Sequence, residues 1–197
     1  MIWRCPRLAK AALVPLLALT SACTPAPAAV PPAAAPNALP LTSASALSAT
    51  NVFVLTSSAF SEGGNIPAEF TCSGAGTSPQ LQWSGAPTDT KSFVLMLEDP
   101  DAPGGTFTHW VAFDLPANQS EIAEGAVSVG KGGKNGRGQT GYTGPCPPSD
   151  THRYFFTLYA LDLTTLGLND GAQSTDVAGA MDGHILARTE LMGRYSK

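Results

Sequence analysis

Hydrophobic and polar positions divide the 197-residue chain into two unlike parts. From Ala11 to Ser61 there is no Asp, Glu, Lys or Arg, and beyond that stretch short apolar runs alternate with polar turns. Asn51-Val-Phe-Val-Leu-Thr56 opens the patterned part as a strand rich in β-formers. Gln80-Leu-Gln-Trp-Ser84 alternates polar and apolar residues, the period of a half-buried strand. Phe93–Leu97 is a continuous apolar run, which predicts a central strand. His109–Leu115 predicts another strand, with His109, Val111 and Phe113 on one face. Tyr154–Leu161 is the longest aromatic and apolar run. Pro and Gly clusters separate all of these. Only residues 174–187 carry helical spacing, with Val177, Met181 and Ile185 four apart, and a last strand follows near Arg188–Tyr195. The pattern predicts a mostly β domain over residues 51–197, antiparallel, with one or two peripheral helices.

Composition narrows the function classes. The chain holds 20 Gly and 17 Pro, and charged residues make up only 13%. A net charge of −4 excludes a nucleic-acid partner held by a basic surface. No apolar run reaches the roughly 18 residues of an ordinary membrane-spanning helix. Low charge and frequent Pro argue against a helical bundle.

The charge-poor N-terminal part reads as an address. Arg4, Arg7 and Lys10 precede a short apolar core, Ala11–Leu19, so residues 1–22 have the layout of a secretory signal. Thr20-Ser-Ala-Cys23 then resembles the small-residue box of bacterial lipoprotein signals, which implies that Cys23 is lipidated and becomes the new N-terminus. Residues 23–50 contain Pro25, Pro27, Pro31, Pro32, Pro36 and Pro40 among many Ala. Such a mixture buries no core and is expected to be a disordered tether. The expectation is export to the cell envelope or periplasm with membrane attachment through Cys23, the alternative being a soluble secreted protein. Cleavage would make the mature chain more acidic, so a lipid, not a basic patch, would hold it to a membrane.

Cys5 leaves with the signal and Cys23 is used by the lipid. Cys72 and Cys146 remain in an oxidising compartment, either bridged to each other or as two buried thiols. Two sulfurs without a nearby His make a poor zinc site. No metal and no cofactor are expected.

Two constellations carry chemistry. In the first, His109 follows Glu98-Asp-Pro-Asp-Ala-Pro-Gly-Gly105. If this loop stays extended, the carboxylates of Asp99 and Asp101 project from one side, where they would orient a neighbouring imidazole and favour its charged form. The competing reading is an ordinary turn in which Asp caps its own backbone. In the second, Gly141-Tyr-Thr-Gly-Pro-Cys-Pro-Pro148 leads to His152 and Tyr154, which share a strand face at i, i+2. Their imidazole and phenol suit donation into one pocket framed by a rigid Pro-rich loop. Gly136-x-Gly138-x-x-Gly141 satisfies a dinucleotide pattern but runs into Pro-rich loop rather than a helix, so it is set aside. Lys131, Lys134 and Arg137 form a small basic Gly-rich loop, expected to be solvated, with anion steering as the minor reading.

These constellations resemble the phosphatidylethanolamine-binding protein family, and more narrowly its bacterial Raf-kinase-inhibitor-like branch. Asp99-Pro-Asp-Ala-Pro103 with His109-Trp110 matches the first family signature. Gly141–Pro148 with His152-Arg-Tyr154 matches the second, and flanking text such as Phe70-Thr-Cys-Ser-Gly agrees. The resemblance covers residues 52–195. It implies a central antiparallel sheet, a smaller second sheet and a small anion site built from Asp99, Asp101, His109, Gly144, Cys146, His152 and Tyr154. It also implies a paired Cys72 and Cys146, and it allows a homodimer. Ser149-Asp-Thr151 departs from the Gly often found before the family's His.

Three functions then compete. One is a binding module for a small anion, phospholipid head group or phosphorylated ligand. A second is an inhibitor of an envelope protein partner. The third, an esterase or phosphoesterase using His109 and an Asp as acid and base, is disfavoured because no activated nucleophile or metal signature accompanies them.

Overall fold

The computed structural model describes residues 52–127 and 129–197. The expected signal segment 1–22, the lipidation position Cys23 and the tether 23–50 lie outside the described residues. In chain order the described strands are β1 (Val54–Thr56), β2 (Leu81–Ser84), β3 (Ser92–Asp99), β4 (Phe107–Pro116), β5 (Glu121–Ile122), β6 (Lys131–Gly133), β7 (Thr151–Leu161) and β8 (Ile185–Ser196). Helix α1 (Ser174–Met181) joins β7 to β8, and a 3-10 turn spans Ala68–Phe70. One sheet has the order β1-β2-β5 and the other β6-β4-β3-β7-β8. All these strand pairs are antiparallel.

The apolar runs of β3 and β7 follow from their central places in the larger sheet, where both faces are covered. On one face Phe93, Leu95, Leu97, Phe156 and Leu158 meet Leu55, Leu81, Trp83 and Ile122 of the small sheet. On the other, Val94, Met96, Val111 and Phe113 pack with Val177 and Met181 of α1. From Phe93 to Leu97 successive β3 side chains thus enter two different cores, which accounts for the uninterrupted apolar run.

Two expectations are corrected. Residues 174–187 are not one helix. Gly183, at φ 76°, turns the chain after Met181, and Ile185 pairs with Leu161 in β8, 44% exposed. A left-handed backbone position after the last helical turn ends a helix whatever the spacing beyond it. Nor does His109 share a face with Val111 and Phe113. The β3–β4 register passes from Leu97↔Trp110 to Glu98↔Thr108, so β4 carries one extra residue there, His109. This bulge moves the imidazole to the opposite face, where its ring meets Tyr154 edge-on at 5.3 Å.

Because Leu95 is fully buried at the centre of the sheet, Leu95→Ala is expected to remove about 2–5 kcal/mol of stability. Urea unfolding checks this through a lower midpoint with an unchanged slope.

Candidate functional site

The end of the larger sheet where β3, β4 and β7 meet the loops holds a cavity of about 200 Å³. Its wall is formed by Asp99, Ala102, Phe107, His109, Arg137, Cys146, Pro147, Pro148 and His152. His109 and His152 are only 5% and 6% exposed. The Nδ1–H of His109 donates to the Thr143 carbonyl at 2.8 Å, and the Thr143 N–H donates back to the His109 carbonyl at 3.0 Å. The Nδ1–H of His152 donates to Asp99 Oδ2 at 2.7 Å. A carbonyl or a carboxylate only accepts, so both tautomers are set and Nε2 is the remaining polar atom of each ring. Burial, the largest influence, pushes the His109 pKa below the ordinary histidine value; the Thr143 carbonyl and Asp99 push the other way, and Arg137 and His152 add to the lowering.

Asp99 therefore serves His152, not His109, and the two carboxylates of the first constellation part company. Asp99 Oδ1 accepts the Asp101 N–H at 2.9 Å, which curls the chain out of the extended form. Asp101 is turned outward, where it takes Arg153 Nε at 2.9 Å and Nη2 at 2.6 Å. That guanidinium holds the Asp101 carboxyl down at about 2. Asp101 is not part of the cavity wall.

Tyr154 does not reach the wall either. It is fully buried beneath the imidazoles, 6.4 Å from the His152 ring, and its hydroxyl has no hydrogen-bond partner. Burial first and then the charge of Asp99 push its phenol pKa upward, so it is a neutral floor under both rings. Gly144 shapes the loop from behind. A Cβ on it would stand 3.0 Å from the Phe70 carbonyl oxygen and from Thr71 backbone carbons. The loop is fastened there by the Cys72–Cys146 disulfide, by the Cys72 N–H to the Pro145 carbonyl at 3.0 Å, and by the Tyr142 hydroxyl to the Phe70 carbonyl at 2.6 Å. Cys146 thus contributes a wall atom and a tether.

One further wall residue, Arg137, comes from the Lys131–Arg137 loop expected to be basic and solvated. Lys131 is taken up by Asp114 at 3.0 Å and the Leu168 carbonyl at 2.8 Å. Arg137 instead stands at the cavity. Buried Asn135 holds its loop: Oδ1 accepts the N–H of Arg137 at 2.9 Å and of Gln139 at 3.2 Å, while Nδ2 donates to Thr143 Oγ1 at 2.9 Å. Gly136 lies flat against Phe107, since a Cβ there would come within 2.5 Å of the ring. Asn135-Gly136 is a turn signal readable in the sequence, but which wall the turn presents depends on the Asn135–Thr143 bond.

The sequence profile of the phosphatidylethanolamine-binding protein family matches residues 56–196. The chain belongs to that family. UPF0098 proteins are close relatives: the one from Methanothermobacter thermautotrophicus is 46% identical over 145 residues, 71% of this chain and 95% of the relative. That from Aquifex aeolicus is 46% identical over 148 residues, 72% of this chain and 86% of the relative. Among solved structures, a phosphatidylethanolamine-binding protein homologue from Chlamydia trachomatis superposes with a TM-score of 0.72 at 45% identity, covering 75% of this chain and 99% of that one. E. coli YbcL, described as a member of the mammalian family, gives a TM-score of 0.69 at 29% identity, covering 74% and 98%.

The two segments that resemble the signatures of the phosphatidylethanolamine-binding protein family converge on the one cavity, where Asp99 and His152, 53 positions apart in the sequence, are bonded to each other. A larger groove of about 660 Å³ lies beside β1 and β8, lined by Val54, Leu55, Phe60 and Leu191. Its carboxylates are engaged, Glu62 by the Met192 N–H and Glu190 by the Thr157 hydroxyl, and among the described residues no His or Arg lines it. Among the described residues no His, Cys, Asp and Glu cluster is arranged to hold a metal ion.

The lowered His109 pKa has a measurable consequence. Between the unfolded value of about 6.5 and the lower folded value, the unfolded chain binds more protons, so stability falls as pH drops through that window. His109→Gln is expected to flatten this part of the curve, as read by denaturant midpoints from pH 7 downward.

Proposed function

We propose that this member of the phosphatidylethanolamine-binding protein family is an exported, lipid-anchored binding protein whose cavity takes a small phosphate-like anion. The observation that carries this reading is the pair of buried imidazoles with both Nδ1–H groups engaged in one cavity. Each ring has only Nε2 to offer, and Nε2 donates only when protonated. The positive charge of Arg137 beside the two rings disfavours a cation there. An anion that brings protons, or draws them from solvent, turns both rings into charge-assisted donors. The disulfide supports export to an oxidising compartment, the same reading that the signal-like residues 1–22 and the lipobox-like Thr20–Cys23 suggest.

The role is binding rather than turnover. Among the described residues no Ser or Thr lines the cavity, and the Cys146 sulfur at its wall is in the disulfide. His109 and His152 thus have no side-chain nucleophile beside them among the described residues of the wall.

Titration calorimetry with sulfate, which stays fully ionised near neutral pH, separates ring protonation from ligand protonation. Saturable binding is expected to tighten as pH falls from 8 to 6, by up to about tenfold per unit for each proton taken up. His109→Ala is expected to weaken it at least about tenfold, the range for a lost charge-assisted hydrogen bond. An absence of saturable heat, or equal affinity in His109→Ala, contradicts the reading.

A further inference from the structure

We propose that the groove between β1 and β8 is a second binding site, for a small organic amine with an apolar body. It is separate from the histidine cavity and does not rest on the anion reading.

The groove follows from the way the chain after β1 runs along β8. The Leu55 N–H donates to Thr189 Oγ1 at 3.2 Å, and further on the Gly63 N–H donates to the Met192 carbonyl at 2.8 Å. From Leu55 to Gly63 the chain has far more length than β8 has from Thr189 to Met192. The surplus stands away from the strand and leaves a hollow of about 660 Å³. Small-molecule sites have volumes of roughly 300–1,000 Å³. The surplus is also fastened. The Ser57 hydroxyl donates to the Gln80 carbonyl at 2.6 Å and accepts the Ala59 N–H at 3.1 Å. The Ser58 N–H donates to Gln80 Oε1 at 3.1 Å, and Gly63, at φ 72°, turns the chain back onto β8. The hollow is preformed, so a ligand entering it has little loop to order.

The lining divides by chemistry. Leu55, Phe60 and Leu191 are buried and form an apolar floor, with the Phe60 ring against Phe156 at 5.6 Å. Among the described residues the charged members of the lining are Glu62 and Glu190, both acidic. They stand close together. Glu62 Oε2 accepts the Met192 N–H at 2.9 Å, and Met192 is two positions along β8 from Glu190. Glu190 Oε2 accepts the Thr157 hydroxyl at 3.3 Å. One oxygen of each carboxylate fixes its side chain, and Oε1 is left for a ligand. Among the described residues no Lys, Arg or His forms an ion pair with either, and Arg188, two positions before Glu190, does not line the groove.

Two like charges beside an apolar floor select the ligand. A cation between them relieves their repulsion, whereas an anion adds to it. An ammonium group brings three donors and no acceptor, which suits two carboxylate oxygens and the Ser61 hydroxyl at the same end. The floor takes an aryl or short alkyl body, and its burial supplies the rest of the affinity.

The test uses calorimetry and amide chemical shifts on the full chain with phenylbutylammonium, phenylbutanol, phenylvalerate and propylammonium. Glu62 and Glu190 are exposed, and Gln retains the acceptor that each uses, so Glu62→Gln/Glu190→Gln is expected to keep the fold, as its urea midpoint will show. The native chain is expected to bind phenylbutylammonium at least about threefold more tightly than phenylbutanol, the range for two exposed ion pairs, and to bind phenylvalerate more weakly still. Propylammonium, which lacks the ring, should bind at least about tenfold more weakly. The double variant should bring phenylbutylammonium and phenylbutanol within about twofold. Amide shifts should centre on Leu55–Glu62 and Glu190–Leu191, and saturating sulfate should not displace the amine. Equal affinities for amine and alcohol, an unchanged preference in the double variant, or no saturable binding of phenylbutylammonium would overturn the proposal. Shifts centred on His109 and His152, or displacement by sulfate, would place the amine in the histidine cavity and overturn it as well. The anion reading is tested by sulfate alone and stands or falls separately.

Discussion

Between Leu97 and Glu98 the β3–β4 ladder accommodates one extra residue on β4, and that residue is His109. Without the bulge the imidazole would follow the alternation of its strand and point toward the α1 side with Val111 and Phe113. With it, the ring lies over Tyr154 and beside the His152–Asp99 pair, and its Nδ1–H reaches the Thr143 carbonyl. A single break in strand register brings the two imidazoles together and fixes the loop that closes the cavity.

The support for that arrangement is redundant. Residues 142–146 are fastened to residues 70–72 by a disulfide, a hydroxyl–carbonyl bond and a backbone bond. Gly144 permits the close approach, and Asn135 holds the adjoining turn. In the chain-entropy picture a bridge with a sequence separation of 74 stabilises the fold by roughly 4 kcal/mol, mostly by restricting the unfolded chain. Its local effect is to hold Cys146 and the Pro147-Pro148 wall in register with the β-sheet end. A site preformed in this way spends little of its binding energy on ordering loops.

Local patterning carried the strands because each run reports directly on burial. The uninterrupted β3 and β7 runs mark strands covered on both faces, and the alternation of residues 80–84 marks a half-covered one. The helix boundary was illegible because Ile185 keeps the four-residue spacing while Gly183 has already turned the chain. The bulge was illegible for a similar reason: no residue in Thr108-His109-Trp110 requires one, and only pairing with β3 reveals it. Within the site, His109, His152 and Asp99 were singled out from their motifs, but the partner of Asp99 was not. An i, i+2 spacing says which residues share a face in an extended chain, and the Asp99–Asp101 turn removes that premise. Arg137 was discounted because a basic Gly-rich loop is usually solvated, and its place at the cavity depends on the Asn135–Thr143 contact.

The central claim is that a bound anion is held by two imidazoles through Nε2, each fixed by its own Nδ1–H. Nitrogen-15 NMR of histidine-labelled protein tests it most directly, because the ring shifts report protonation at each nitrogen. The account predicts that at neutral pH His109 is neutral with its proton on Nδ1, and that saturating phosphate moves the Nε2 signal of His109 to a protonated, hydrogen-bonded position and shifts that of His152 while each Nδ1–H is retained. Saturable phosphate binding that leaves both Nε2 signals unmoved would contradict it.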